Sequence, residues 1–265
     1  MATYPETLKI KIARVQTEVI GVPVDIGTIS SMSRYLISLA DQKKNTGRYV
    51  CVANVHMLTI AHANPRYKSI LENAQLVTPD GMPLVWTQKI KGFKNAQRVS
   101  GPDLMIELCK LSSQSNHSIY LLGADESTLD LLSSNLLLQF PGLNIAGMYA
   151  PEKLPEQAIV DESLVENINT SGASFLFVGL GCPKQEYWCA TYAPKIIPIA
   201  LGVGAAFDFH AGTKKRPPAF IQQCGLEWLY RLLSEPGRLW KRYLASNSAF
   251  VYYTLLDLLQ INKPK

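Results

Sequence analysis

Few groups in this chain are placed to do chemistry, and Asp80 is foremost among them. It stands in the turn Thr78-Pro79-Asp80-Gly81, where the apolar run Leu76-Val77 breaks off. Pro79 fixes its own φ and holds Thr78 extended, while Gly81 tolerates the positive φ of a sharp reversal, so the carboxylate is lifted out of a strand end. A helix starting at Met82 or Pro83 puts Asp80 at or just before its N-terminus. Asp is also favoured there as a plain turn former or cap. The alternative is a carboxylate that takes part in chemistry at a ligand site.

Two Gly-x-Gly runs follow apolar stretches, Gly179-Leu180-Gly181 and Gly202-Val203-Gly204. Such runs let backbone N–H groups approach a phosphate at a helix N-terminus, or simply make tight turns. Neither completes the dinucleotide fingerprint, because Lys184 and Phe207 occupy the third-glycine positions. An acidic residue to hold a ribose is also missing about 20 positions on. An NAD-type oxidoreductase is therefore disfavoured, and a less constrained nucleotide such as a uridine diphosphate sugar stays open. Gln185, with two donors and an acceptor, suits a sugar or uracil edge, and Glu186 reads as a first-turn cap. Asn54 closes another apolar run. The histidines His56, His62, His117 and His210 are scattered and no Asp-x-Asp pair occurs, so neither metal nor cofactor is expected.

The charge is uneven. The chain of 265 residues has a net charge of +5. From Lys214 onward nine basic residues face three acidic ones, so the remainder, with 17 basic and 18 acidic residues, is nearly neutral. A localised basic segment points to phosphates, an anionic membrane surface or nucleic acid. His210 to Pro218 reads as a flexible basic loop. Pro236 starts a helix on which Arg238 and Arg242 share a face beside Trp240, Tyr243 and Leu244. That pattern fits either a membrane interface or an ordinary helix packed on its own core. Phe250 to Ile261 is too short to span a bilayer and contains Asp257. Five cysteines without zinc spacing read as reduced thiols of a cytosolic protein, and no secretory leader is apparent.

These groups need a scaffold. Strands are expected at Val19 to Val24, Tyr49 to Ala53, Gln75 to Thr78, Ser118 to Gly123, Asn144 to Tyr149, Ala173 to Val178 and Ile196 to Leu201. Helices are expected from Ile29, Val55, Pro83, Gly101, Ser127, Gln157 and Pro183, with Lys91 to Ser100 as a polar linker. Alternating strands and helices with fully apolar strands imply a Rossmann-like parallel α/β sheet with helices on both faces, plus a helical C-terminal appendage. The expected division is a catalytic domain over residues 1–208 and a basic, amphipathic appendage over 209–265. Ligands of such sheets bind beyond the carboxyl ends of the strands, where Asn54, Asp80, Gly123, Gly179 and Gly202 fall.

Taken in order, Gly21-Val-Pro-Val-Asp25, Asn54, Thr78-Pro-Asp-Gly81, Gly101-Pro-Asp103, Gly179-Leu-Gly-Cys-Pro-Lys-Gln-Glu186, Gly202-Val-Gly-Ala-Ala-Phe-Asp208, Arg216-Pro-Pro-Ala, Leu226-Glu-Trp-Leu-Tyr-Arg231 and Glu235-Pro236 span nearly the whole chain. Together they resemble the WecG/TagA/CpsF glycosyltransferases, also called glycosyltransferase family 26. The resemblance implies inverting transfer of a sugar from a uridine diphosphate donor to a polyprenyl-diphosphate-linked saccharide at the cytoplasmic face of the membrane. It makes Asp80 the base and places Asn54 and Gln185 in the pocket. It assigns phosphate contacts to Arg231 and Arg238, with Lys241 or Arg242 as the third cation. A threonine that some members carry two positions before the asparagine is Val52 here. The expected partners are the donor, the lipid-linked acceptor, an anionic membrane surface met by the appendage and a second copy of the chain, but not nucleic acid. A non-catalytic membrane-surface binder is the remaining alternative.

Overall fold

The computed structural model describes residues 14–42, 46–151 and 160–261. The chain opens with a hairpin of β1 (Gln16–Val19) and β2 (Val22–Asp25). The apolar run Val19 to Val24 predicts a single strand, but Ile20 and Gly21 both adopt positive φ, 45° and 80°, and turn the chain back on itself. A two-residue turn of that kind matches the twist of an antiparallel pair. The buried carboxylate of Asp25 then docks the hairpin on the sheet. Its Oδ2 accepts from the Val77 amide at 2.7 Å while Arg14 pairs with both carboxylate oxygens. Lys9 and Lys11, which with Arg14 read in the sequence as part of a strand or a basic arm, lie outside the described residues.

Next come α1 (Ile29–Asp41), β3 (Tyr49–Ala53), α2 (Val55–Ala63), α3 (Pro65–Glu72), β4 (Leu76–Pro79), α4 (Met82–Ile90) and α5 (Gly101–Ser115). They are followed by β5 (Ser118–Gly123), α6 (Glu126–Gln139), β6 (Asn144–Tyr149), α7 (Glu162–Thr170), β7 (Phe175–Gly179), α8 (Lys184–Tyr192) and β8 (Ile199–Gly202). The helix expected from Gln157 starts at Glu162, where Asp161 caps the Ser163 and Leu164 amides; residues 157–159 lie outside the described residues. Six strands pair in parallel in the order β4-β3-β8-β7-β5-β6. The central strands are apolar and buried because helices cover both faces. One core holds residues of α2, α3, α7 and α8, and the other holds residues of α1, α5 and α6.

After β8 the chain forms α9 (Ala206–Ala211), α10 (Ala219–Gln223), α11 (Glu227–Ser234) and the long α12 (Pro236–Ile261). Phe207 of α9 enters the second core, whereas Phe250 of α12 enters the first, where α12 packs along α2 and Tyr253 stacks on His62 with ring centroids 3.7 Å apart. The segment expected to be a flexible basic loop is tied down by its own charges. Lys214 pairs with Asp208 and Glu235, and Arg216 grips Asp103 through both terminal nitrogens at 2.5 and 2.8 Å. At the far end Lys91 joins α4 to Asp257 of α12 at 2.7 Å. Among the described residues no helix is long and apolar enough to cross a membrane.

Candidate active site

A cavity of about 920 Å³ opens over the carboxyl ends of β3, β4, β7 and β8 and is roofed by α10, α11 and α12. Neighbouring β3 and β8 send their following helices, α2 and α9, to opposite faces of the sheet, and the divergence leaves room for a ligand. Asp80 sits at this divergence. Its amide donates to the Ala53 carbonyl at 2.8 Å, extending the β3–β4 ladder by one rung, and Gly81, not Asp80, is the N-cap residue of α4. The Asp80 side chain makes no capping bond, so the turn holds a carboxylate that is free for another use.

Its partner is Arg98. The Arg98 Nε donates to the Asp80 carbonyl, and Nη2 reaches Asp80 Oδ1 at 3.1 Å and Glu227 Oε2 at 2.7 Å. Nη1 donates to Gln222 Oε1 at 3.2 Å. Burial works against the guanidinium charge, but the carboxylates of Asp80, Glu227 and Asp103 more than restore it and Arg98 stays protonated. Burial is also the largest influence on Asp80 and raises its pKa above the ordinary carboxylate value; Arg98 pulls it down, Glu227 pushes it up and Arg231 pulls it down again. The outcome is a carboxylate with raised proton affinity facing a cavity, as a general base requires.

Asn54 lines the cavity, but its side-chain oxygen also caps α2 by accepting from the Met57 amide at 3.2 Å. Gln185 lies beneath the β8 turn. Its Oε1 accepts from the Gly204 amide at 3.0 Å and its Nε2 donates to Glu186 at 2.7 Å, which leaves one amide hydrogen for a ligand. Glu186 does accept from its own backbone amide, as a first-turn acid would, but it is wholly buried and also takes the Tyr67 hydroxyl at 3.1 Å. Its pKa is raised, chiefly by burial.

The glycines divide by role. A Cβ on Gly179 would meet the Phe207 ring at 2.7 Å, and one on Gly202 would meet the Gln185 amide at 3.0 Å, so both are needed for side-chain packing. Both also line the cavity, as does Gly181, which has φ 78° and open space around it, so that a ligand can approach its backbone. Gly123 does not line the cavity. Its φ is 121° and a Cβ there would stand 2.7 Å from the Gly179 backbone, so it serves the close approach of β5 and β7.

Arg231 and Arg242 both line the cavity, Arg231 beside the Phe209 ring and Arg242 beside Tyr243. The Arg242 Nε is buried without a hydrogen-bond partner among the described residues. Lys241 instead lies over Trp240 at the surface, so of the two alternatives it is Arg242 that lines the cavity. Arg238 is in the first turn of α12, and its side chain lies outside the described structure. Three residues at the cavity escape a reading of the sequence as site residues. Arg98 falls in the expected polar linker, although the Val99 amide pins that stretch to the Pro79 carbonyl at 2.9 Å, beside Asp80. Glu227 stands out in sequence only as part of a motif. His56 has no metal-ligand spacing to mark it; in the fold it bonds Ser246 at 3.0 Å and its pKa is lowered to about 4 by burial and then by Arg242.

A carboxylate of raised proton affinity, facing cations and glycine backbone across one cleft at the strand ends of an α/β sheet, defines a group-transfer site for a phosphorylated substrate. The chain belongs to the Glycosyl transferase WecG/TagA/CpsF family, whose profile matches residues 17–264. It is 32% identical to the N-acetylglucosaminyldiphosphoundecaprenol N-acetyl-beta-D-mannosaminyltransferase of Bacillus spizizenii over 84% of each chain. It is 26% identical to the protein of the same name from Staphylococcus aureus, over 94% of this chain and 96% of that one.

Proposed function

We propose that this protein is an inverting glycosyltransferase that moves an N-acetylmannosamine-type sugar from a uridine diphosphate donor to a polyprenyl-diphosphate-linked saccharide, in the building of a cell-surface polysaccharide. The names of its relatives support the sugar and the acceptor. The observation that carries the chemistry is the Asp80 carboxylate, which caps no helix and faces the cavity beside Arg98.

In this reading Asp80 takes the proton of the acceptor hydroxyl as its oxygen attacks C1 of the donor sugar. The C1–O bond to the diphosphate breaks and the nucleoside diphosphate leaves with the electron pair. Arg98, Arg231 and Arg242, with the Gly181 amide, offset the charge that builds on the leaving group. Asn54 and the spare Gln185 hydrogen contact sugar or base, and Arg238 adds a further cation. Residues 1–208 supply the catalytic α/β unit, and 209–265 supply the appendage that closes the cleft and rests on the cytoplasmic face of an anionic membrane.

The test is turnover with a panel of uridine diphosphate sugars and a short-chain lipid-diphosphate acceptor. Asp80→Asn should lower the rate by about 10²- to 10⁴-fold while donor binding persists. Turnover at the wild-type rate removes Asp80 from the mechanism, and an intact protein inactive with every donor removes the reading.

A further inference from the structure

The cavity has a polarity gradient that the sugar-transfer reading leaves unexplained. At one end are Asp80, Arg98, Arg231 and the glycine turns. The other end runs out between α4 and α12, and there its walls are mostly apolar, with Thr87 and Thr254 as the polar exceptions. On α4 the lining positions are Met82, Trp86 and Ile90, spaced by four, so they form one stripe along the helix. The facing stripe of α12 starts polar, with Tyr243 and Asn247 near the charged end, and turns apolar through Val251, Leu255 and Leu258.

The outer residues are not covered. Ile90 is 67% exposed, Val251 59% and Leu255 55%, although they face a common cleft whose two walls are held at a fixed distance by the Lys91–Asp257 ion pair. Nothing in a purely polar substrate needs such a stripe. An acceptor in which a saccharyl diphosphate is joined covalently to a polyprenyl chain does, because its lipid must leave the site through a wall that solvates hydrocarbon.

Resting on the function proposed above, we infer that the groove between α4 and α12 is the binding site for the isoprene units next to the acceptor diphosphate. Trp86, Ile90, Val251 and Leu255 are its specificity-determining contacts. The order of groups along the groove matches the order of groups in the acceptor: hydroxyl at Asp80, diphosphate among the cations, hydrocarbon beyond Asn247. The occupant is one prenyl chain in a cleft that is continuous with the active site. A bilayer lying against α12 would instead contact Leu244, Tyr252 and Leu259, exposed residues that are not part of the cleft.

The experiment uses the full chain in detergent solution, without vesicles, and compares two acceptors that share the same saccharyl diphosphate, one ending in a methyl group and one in a farnesyl chain. The wild-type protein should show a lower KM for the farnesyl acceptor. The variant Ile90→Gln/Leu255→Gln, altered only at exposed positions, should raise the farnesyl KM about tenfold, as loss of side-chain burial of this size implies, and leave the methyl KM within about twofold. Equal loss with both acceptors, or no loss with either, overturns the inference while leaving the transferase reading intact. If, in a separate co-sedimentation with anionic vesicles, the variant loses binding but keeps the wild-type farnesyl KM in detergent, the stripe belongs to the bilayer and the inference is also overturned. A wild-type protein that turns over neither acceptor overturns the function and the groove together.

Discussion

Replacing Glu227 with glutamine tests the electrostatics of the base directly. Glu227 and Asp80 bind the same Arg98 Nη2, at 2.7 and 3.1 Å, so their nearest oxygens lie at most about 5.8 Å apart. Two unit charges at that separation repel by about 3 kcal/mol at an effective dielectric of about 20. Both side chains keep some solvent contact, 26% for Asp80 and 18% for Glu227, and screening through the open cavity weakens that repulsion without changing its sign. The sign follows from the role. A base must be deprotonated, so kcat/KM rises with pH through the Asp80 pKa, and burial places that rise above the ordinary carboxylate range. Removing the negative neighbour lowers the pKa and moves the acid limb of the profile to lower pH. With each profile scaled to its own plateau, Glu227→Gln should therefore retain more activity than the wild type on the acid side, and Glu227→Asp, which keeps the charge, should keep the limb. The assay is initial-rate release of nucleoside diphosphate across pH, with thermal melts confirming that each protein is folded. A limb that stays in place, or moves upward, refutes the assignment of Asp80 as the titrating base.

Two further outcomes follow from the packing. Gly225 has φ 73°, and a Cβ there would meet the Trp86 ring at 2.7 Å, so Gly225→Ala should cost about 1–2 kcal/mol in backbone strain alone and lift α10 and α11 off α4. Faster amide exchange in residues 219–234, with β3 and β8 unchanged, is the expected reading; unchanged exchange in the roof removes Gly225 as its anchor. His56, with its pKa lowered to about 4 chiefly by burial, is neutral in the folded protein. The unfolded chain, titrating near the ordinary value of about 6.5, binds the extra proton first, so the contribution of His56 to stability is full above pH ~6.5 and is lost as pH falls toward ~4. Urea midpoints measured from pH 7 to 4 should decline more steeply for the wild type than for His56→Asn, and parallel curves would show that the ring is not held neutral.

The layers of the sheet are legible because the central strands are buried on both faces and therefore carry an unbroken apolar run. Tyr49–Ala53 and Ser118–Gly123 lie where the sequence places them, and so does Asn144–Tyr149, although it is a partly exposed edge strand. The hairpin is not legible, because Ile20 takes a positive φ that its side chain does not advertise and only the Asp25 contact to β4 makes the arrangement worthwhile. Asp80, Asn54, Gln185 and Gly181 are found because strand ends and turn residues mark them locally. Arg98 and Glu227 are not, because their role depends on a meeting across 129 positions of chain that no local pattern encodes. The basic tail is legible only as a count of charges. Of its nine basic residues, two are paired within the chain among the described residues, Arg216 with Asp103 and Lys214 with Asp208, so the count overstates what it offers to a surface.

That pairing changes how the base and the far end of the chain are connected. The cation in contact with Asp80 comes from 18 residues further along, not from the tail. What the tail brings nearest to Asp80 is an acid, Glu227, with Arg231 behind it, and these act on Asp80 with opposite signs. The larger effect of the tail is exclusion of water: Gln222, Glu227, Trp228 and Arg231 form the wall over Asp80, and burial is the leading reason its proton affinity is raised. In the proposed mechanism the strength of the base is set by the cover over the cleft: an Asp80 exposed by withdrawal of α10 and α11 would fall back toward an ordinary carboxylate and lose proton affinity, so a roof that closes over substrate would also strengthen the base.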